Sequence, residues 1–334
     1  MVLGRLRWLA GALIALAGLA GPAGAADYVI RFSHVVAPNT PKGKAAERFR
    51  ELAERYTNGR VQVEVYPNST LYKDREELEA LQLGAAQMLA PSLAKFGPLG
   101  IKEFEAFDLP FIFPSRAALR RVTEGPVGRG LLEKLKEKGI VGLAYWDNGF
   151  KIMSANVPLR LPEDFRGLRM RIQSSRVIEA QMRALGAVPQ ATAFSEATQA
   201  LRAGVVDGTE NPPSNMYTQG MHEVQKHATL SDHGYLGYAV IVNKKFWDGL
   251  PSDVRKALER AMAEATAYAN AIAQEENDAA LDAIRAAGTT DLHSLTPEER
   301  AAWIRALKPV YDEMAPRIGR DLVEAIVREA GKAD

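Results

Sequence analysis

Two arginines one residue apart are the residues in this chain best suited to chemistry. In Gly167-Leu-Arg-Met-Arg-Ile172, strand alternation puts Leu168, Met170 and Ile172 on one face and Arg169 and Arg171 on the other. A guanidinium presents two parallel donors that match the two oxygens of a carboxylate, so this pattern can bind an organic anion. The same pattern also reads as the ordinary solvated face of a strand. Tyr145-Trp-Asp-Asn-Gly-Phe-Lys151 gathers aromatics, amides and a cation where one domain gives way to the next. Gly204-Val-Val-Asp-Gly-Thr-Glu-Asn-Pro-Pro213 carries a hydrogen-bonding Asn among turn formers, and its composition alone says only loop.

Catalytic patterns are missing. There is no G-x-S-x-G elbow and no Walker loop, and Gly125, Gly128 and Gly130 are wrongly spaced for a dinucleotide fingerprint. His222 and His227 do not share a helical face, and with His34, His233 and His293 they form no zinc set. Asp74, Glu76, Glu77 and Glu79 read as the solvated face of a helix. The chain has no cysteine, which excludes disulfides, thiolate catalysis and cysteine metal sites. Neither a metal nor a cofactor is expected.

The first residues set the compartment. Arg5 and Arg7 precede an apolar run from Trp8 to Leu19, and Ala23-Gly24-Ala25 follows, the three-part pattern of a secretory signal peptide cleaved after Ala25. The run is too short for the ~20 residues of a bilayer span, so export is favoured over an uncleaved anchor. Lys and Arg number 42 and Asp and Glu 41; losing Arg5 and Arg7 leaves 40 against 41, a net charge near −1. So balanced a chain has no global field for nucleic acid or for an anionic membrane surface. Any preference for anions has to be local.

The elements that must position these residues alternate between strand and helix. Tyr28–His34, Val61–Tyr66, Met88–Ala90 and Ile140–Trp146 read as strands, with helices over Pro41–Tyr56, Lys73–Leu83 and Arg116–Lys138, the last broken near Gly125-Pro126. A second unit follows with strands Leu168–Ile172 and Ala187–Pro189 and helices Ser175–Leu185 and Glu196–Ala203. Ala239–Val242 is a later strand. This order predicts two α/β units, each with a largely parallel sheet. Ser252–Ala287 holds neither Gly nor Pro, and an unbroken helix there would be about 50 Å long. Its stripe is mostly Ala rather than Leu or Ile, which favours a brace across two domains over a coiled coil. Thr296-Pro-Glu-Glu299 opens a further helix with a capping box, and Arg320–Ala330 is the last.

In sequence order, Phe32-Ser-His-Val35, Val65-Tyr-Pro-Asn-Ser69, Ala90-Pro-Ser-Leu-Ala-Lys-Phe96, Phe107-Asp-Leu-Pro-Phe111, Tyr145–Lys151, Gly167–Arg171, Phe194-Ser-Glu196, Gly204–Gly208 with Glu210-Asn211, and Glu223-Val-Gln-Lys226 span nearly the whole chain. Together they resemble the substrate-binding proteins of tripartite ATP-independent periplasmic (TRAP) transporters, most of all the C4-dicarboxylate-binding DctP type. The resemblance implies a periplasmic-binding-protein-like fold of two hinged α/β lobes with a long helix bracing both. Lobe I would comprise 26–149 plus 238–276, and lobe II 150–237 plus 277–334. It further implies that Arg171 fixes a ligand carboxylate, Asn211 donates to the same group and Phe194 packs against the ligand. Lys151 stands where many relatives have a second arginine, and Ser92 where sialic-acid-binding relatives have an acid. His34, Lys73, Asp74 and Tyr235 would line the cleft. Two cations, Arg171 and Lys151, would balance two carboxylates. Glu210-Asn-Pro-Pro-Ser214 departs from the tryptophan-containing loop of close dicarboxylate binders. The implied partners are a small organic anion and the membrane subunits of a TRAP transporter, with no nucleic acid and no membrane insertion. The rival readings are a receptor for another carboxylate (a 2-oxo acid, sugar acid or aromatic acid), a periplasmic lyase or isomerase acting on an organic acid, and a sensor that presents the ligand to a signalling receptor.

Overall fold

The structure, a computed structural model, describes residues 26–332. Among the described residues eleven strands form two sheets. In chain order they are β1 Tyr28–Ser33, β2 Val61–Tyr66, β3 Met88–Leu89, β4 Ile140–Phe150, β5 Ile152–Ala155, β6 Arg169–Ile172, β7 Val188–Ala191, β8 Gly208–Asn211, β9 His227–Leu230, β10 Tyr235–Asn243 and β11 Asp291–Ser294. The helices are α1 Pro41–Tyr56, α2 Glu77–Gln82, α3 Arg116–Glu124, α4 Pro126–Lys134, α5 Arg176–Ala184, α6 Phe194–Arg202, α7 Pro213–Thr218, α8 Lys244–Asp248, α9 Ser252–Ala287, α10 Pro297–Leu307, α11 Pro309–Ile318 and α12 Arg320–Ala330.

One sheet is ordered β2-β1-β3-β10-β4 and the other β11-β9-β5-β8-β6-β7. In each, one strand runs against the rest: β10 pairs antiparallel with β3 and β4, and β5 with β8 and β9. The reason is the way the chain crosses. Strand β4 leaves the first sheet at the edge where its parallel strands end and becomes β5 after Lys151 alone; β9 returns as β10 through 231–234. A strand entering a sheet at that edge must oppose its neighbours. The Lys151 N–H donates to Gly234 O at 2.9 Å and ties the two crossings together. The carboxyl ends of the parallel strands therefore face each other across one crevice, the usual place for ligands in α/β sheets.

The expected brace is present. The first half of α9 buries Val254, Leu258, Ala261, Met262, Ala265 and Ala269 in one core with Ile30, Phe32, Phe49 and Trp146 of the first lobe. Ile284, near its end, packs in the second lobe with Phe194, Ala197 and Met216. Each fully buried Leu, Ile or Phe contributes about 1.5–3 kcal/mol. Between those halves polar side chains of α9 hold the end of β4. Trp146 Nε1 donates to Thr266 Oγ1 at 2.9 Å, the Asp147 N–H to Asn270 Oδ1 at 2.8 Å, and Asn277 Nδ2 to Asn148 O at 2.5 Å. Asn277 Oδ1 also accepts from the Ser214 N–H of the second lobe at 3.0 Å. Gly149 has φ +130, and a Cβ there would stand 2.7 Å from Asn277 Nδ2, so the glycine is required.

Several expectations need correction. The sequence pattern predicts a helix from Lys73, but α2 begins at Glu77, because Lys73, Asp74 and Arg75 reach out to the other lobe. The loop read over 204–213 contains β8, a strand paired on both sides. Gly208 opens it because a Cβ would come within 2.4 Å of Ser154 O and 2.7 Å of Met170 Sδ, and glycine hides a strand from propensity. Within 277–334, α12 sits where the lobes share one core: its Val323, Ile326 and Ala330 join a cluster that holds Leu119 and Val122 of α3 as well as Met170 and Val177 of the second lobe. No helix among the described residues is long and apolar enough to cross a membrane. The expected signal peptide, residues 1–25, lies outside the described residues.

Candidate functional site

The crevice is shut by bonds between the lobes. Ser92 Oγ donates to Gln173 Oε1 at 2.5 Å, and the Phe194 N–H at the start of α6 donates to Asp74 at 2.5 Å. Lys73 pairs with Glu196 at 2.9 Å and Arg75 donates to Ala191 O at 3.1 Å. Three consecutive residues of the first lobe thus strap the second. Behind the strap lies an inner cavity lined by Lys42, Asp74, Ser92, Lys95, Gln173, Phe194, Asn211, Asn215 and Tyr238. Its volume is about 20 Å³, space for a water or two. A larger cavity of about 430 Å³ adjoins it, walled by Arg75, Arg171, Thr192 and Ala193. Asp74, Lys95 and Gln173 line both and form the partition between them.

Arg171 sits in β6 and is buried. Its Nε and Nη2 both donate to Thr192 O, at 3.0 and 2.8 Å, which fixes one edge of the fork and points the plane. The guanidinium carbon lies 5.7 Å from the Phe194 ring centroid. Burial pulls the Arg171 pKa down, opposed by Asp74 and Glu210, yet a guanidinium keeps its proton. No carboxylate is ion-paired with it among the described residues. Arg169 shares its face but pairs with Asp207 at 2.7 Å and is partly exposed. The two arginines therefore have different fates.

Other charges at the partition are already matched. Lys95 binds Asp74 and, at 2.7 Å, Glu77. Burial alone would raise Asp74, but Lys95, the Phe194 N–H and Arg171 outweigh it and hold the carboxyl at about 2. Burial pushes Glu77 upward. Asn211 ends β8, with its Nδ2 3.3 Å from Thr209 Oγ1.

Four expected cleft residues are placed elsewhere or only at its rim. Lys151 lines neither cavity. It is buried in a network with Glu210 at 2.8 Å and Asp108 at 3.9 Å, and Glu210 also meets His233 at 3.1 Å. Its charge is spent on Glu210, whose own pKa burial would raise but Lys151 and His233 pull down to about 2. Tyr235 is buried against Phe113 and Phe150, ring centroids 5.8 and 6.3 Å away, on the far side of the crossing. His34 is buried beside Phe32; burial and Lys42 lower it to about 3, so the ring is neutral. Lys73 is an exposed rim residue. The structure instead brings in Lys42, Lys95, Gln173, Asn215 and Tyr238, which sequence reasoning passed over. One signal for Lys42 was available: it follows the carboxyl end of the first strand, where the crevice must lie. No group of His, Asp or Glu among the described residues is placed to hold a metal.

Two hinged α/β lobes closing on buried cations define a receptor for a small solute. The chain belongs to the bacterial extracellular solute-binding proteins, family 7, of DctP type, whose family model matches residues 32–317. It is 69% identical over 318 residues to the C4-dicarboxylate-binding periplasmic protein DctP of Rhodobacter capsulatus, covering 95% of this chain and 96% of that one. A TRAP periplasmic solute-binding protein of Sulfurospirillum deleyianum, solved with bound succinate, superposes with a TM-score of 0.88 at 47% identity, covering 90% of this chain and 98% of the other. Another from Pseudomonas aeruginosa, with bound L-malate, gives 0.83 at 45% identity over 86% and 99%.

Proposed function

We propose that this chain is the exported receptor of a TRAP transporter, capturing a C4-dicarboxylate such as succinate or malate and presenting it to the membrane subunits. The observation that carries the reading is Arg171: a buried guanidinium, fixed by Thr192 O and facing the crevice with no ion-paired carboxylate among the described residues. The bound succinate and malate of the relatives above support the choice of acid.

In this mechanism the ligand enters between separated lobes and one carboxylate meets the free donors of Arg171, with Asn211 adding an amide donor and Phe194 covering the carbon chain. The strap at Lys73, Asp74 and Arg75 then closes from the first lobe. Charge-assisted bonds of ~1.5–3 kcal/mol each can together reach the ~8 kcal/mol of micromolar binding. The ligand is released unchanged, and an ion gradient rather than this protein supplies the energy for uptake.

Calorimetric titration of the exported protein with succinate, malate, fumarate, 2-oxo acids and sugar acids tests this. Micromolar C4-dicarboxylate binding that weakens at least 100-fold in Arg171→Ala is expected. A sugar acid as the tightest ligand, or a mass spectrum showing conversion of the bound acid, overturns it.

A further inference from the structure

Lys42 is a second buried cation on the inner cavity. Its Nζ donates to Ala90 O at 3.0 Å and lies 3.7 Å from the centroid of the Tyr238 ring. Among the described residues no Asp or Glu is ion-paired with it, although its side chain is almost wholly buried. An ammonium has three donors, and this one spends a single donor on a backbone carbonyl. A charge left so is costly unless something supplies its partner. The groups around it do not. Lys95 repels it and has committed its own charge to Asp74 and Glu77; His34 is neutral; the Tyr238 ring is a weak counterpart.

The local fold holds Lys42 in place. Thr40 caps α1 and accepts from the Gly43 N–H at 3.1 Å, and Pro41 opens the helix. Lys42 thus stands in the first turn, where the helix dipole adds positive potential. At Gly43 a Cβ would lie 2.5 Å from Ala37 O and Pro38 O, so the preceding loop folds tightly over this turn.

We infer that Lys42 receives the second carboxylate of the ligand and is the residue that makes the receptor select dianions. This rests on Arg171 taking the first carboxylate, as proposed above. One unpaired cation then stands on each lobe, Lys42 on the first and Arg171 on the second, and a dicarboxylate neutralises both only when the lobes are together. The ligand replaces the partition of Asp74, Lys95 and Gln173 as the bridge between them. The Lys151 ammonium, spent on Glu210, has no part in it.

The experiment compares succinate with succinamate, in which an amide replaces one carboxylate, against wild type and Lys42→Met. Wild type is expected to prefer succinate by about 30-fold or more, the loss of one charge-assisted contact. In Lys42→Met succinate should weaken by a similar factor while succinamate stays within about threefold, so the preference disappears. Circular dichroism confirms folding, and Lys42→Gln serves as the second variant should Met disturb packing. A preference for succinate retained in both variants overturns the assignment of Lys42. Failure of wild type to bind succinate at all overturns the proposed function instead.

Discussion

Buried and unpaired, Lys42 should leave a signature in stability as well as in binding. Burial, reinforced by Lys95, lowers its pKa from 10.5 to about 7, against weaker opposition from Glu77 and Asp74. The unfolded chain therefore binds one more proton than the folded chain between about pH 7 and 10.5, and this group's contribution to stability rises with pH across that window. Below pH 7 both states are charged and the folded one bears the whole cost, roughly 5 kcal/mol from the gap between the two values. Lys42→Met removes that cost but strands the Ala90 carbonyl, a loss of about 1–3 kcal/mol. The variant should be the more stable protein at pH 6, by about 2–4 kcal/mol on these figures, and should lose the advantage as pH rises toward 10. Urea denaturation of both proteins at several pH values measures this. Asp108, raised by burial to about 7, titrates in the same range but is common to both, so it cancels in the difference. A variant less stable at pH 6, or a difference that is flat with pH, refutes the argument. With succinate the sign reverses: the wild type binds best while Lys42 is charged, and its affinity should fall by up to about tenfold per pH unit above 7, with no such fall in the variant.

Three further outcomes follow from the same geometry. Arg171→Lys keeps the charge but loses the fork held by Thr192, and calorimetry should show succinate weakened about 10- to 100-fold, the loss of one charge-assisted bond. Lys151→Met strands Glu210 beside His233 and should cost about 3–5 kcal/mol in chemical denaturation. Adding Glu210→Gln should restore most of that loss and leave succinate affinity within about threefold of wild type; a large loss of affinity in the folded double variant would return Lys151 to the ligand. Removing the exposed rim pair by Lys73→Ala should speed ligand release by no more than about fivefold in stopped flow, because such pairs are worth about 0–1 kcal/mol, and the effect should vanish at high salt.

The chain announces its architecture more clearly than its site. Long periodic elements such as α1, α5 and α9 are legible because one apolar stripe at helical spacing must find a core, and the Ala-rich stripe of α9 correctly favours a brace. Strands that carry polar chemistry are hidden. Gly208-Thr-Glu-Asn211 lacks the apolar alternation of a strand, and its place in the middle of a sheet becomes visible only through pairing with β5 and β6. The site divides similarly. Arg171, Asn211, Phe194, Ser92 and Asp74 do meet at the crevice, whereas the charge on Lys151 is cancelled by Glu210, a neighbour 59 positions away. Lys42 looks like a solvated lysine at a helix start until α1 is docked with that turn against Ala90 and Tyr238. Nothing local in the sequence distinguishes a cancelled charge from a waiting one.

Asn277 reaches one lobe through Asn148 and the other through Ser214, and the point it occupies has a mechanical meaning. Atoms beside a rotation axis travel least, so these two bonds can stay formed while Lys73 and Glu196, at the far rim, swing apart. On this geometry the lobes would open as a pair of tongs riveted at position 277. Spectroscopic labels at positions 73 and 196 would report the full sweep of the jaws, and a pair flanking the rivet would stay still.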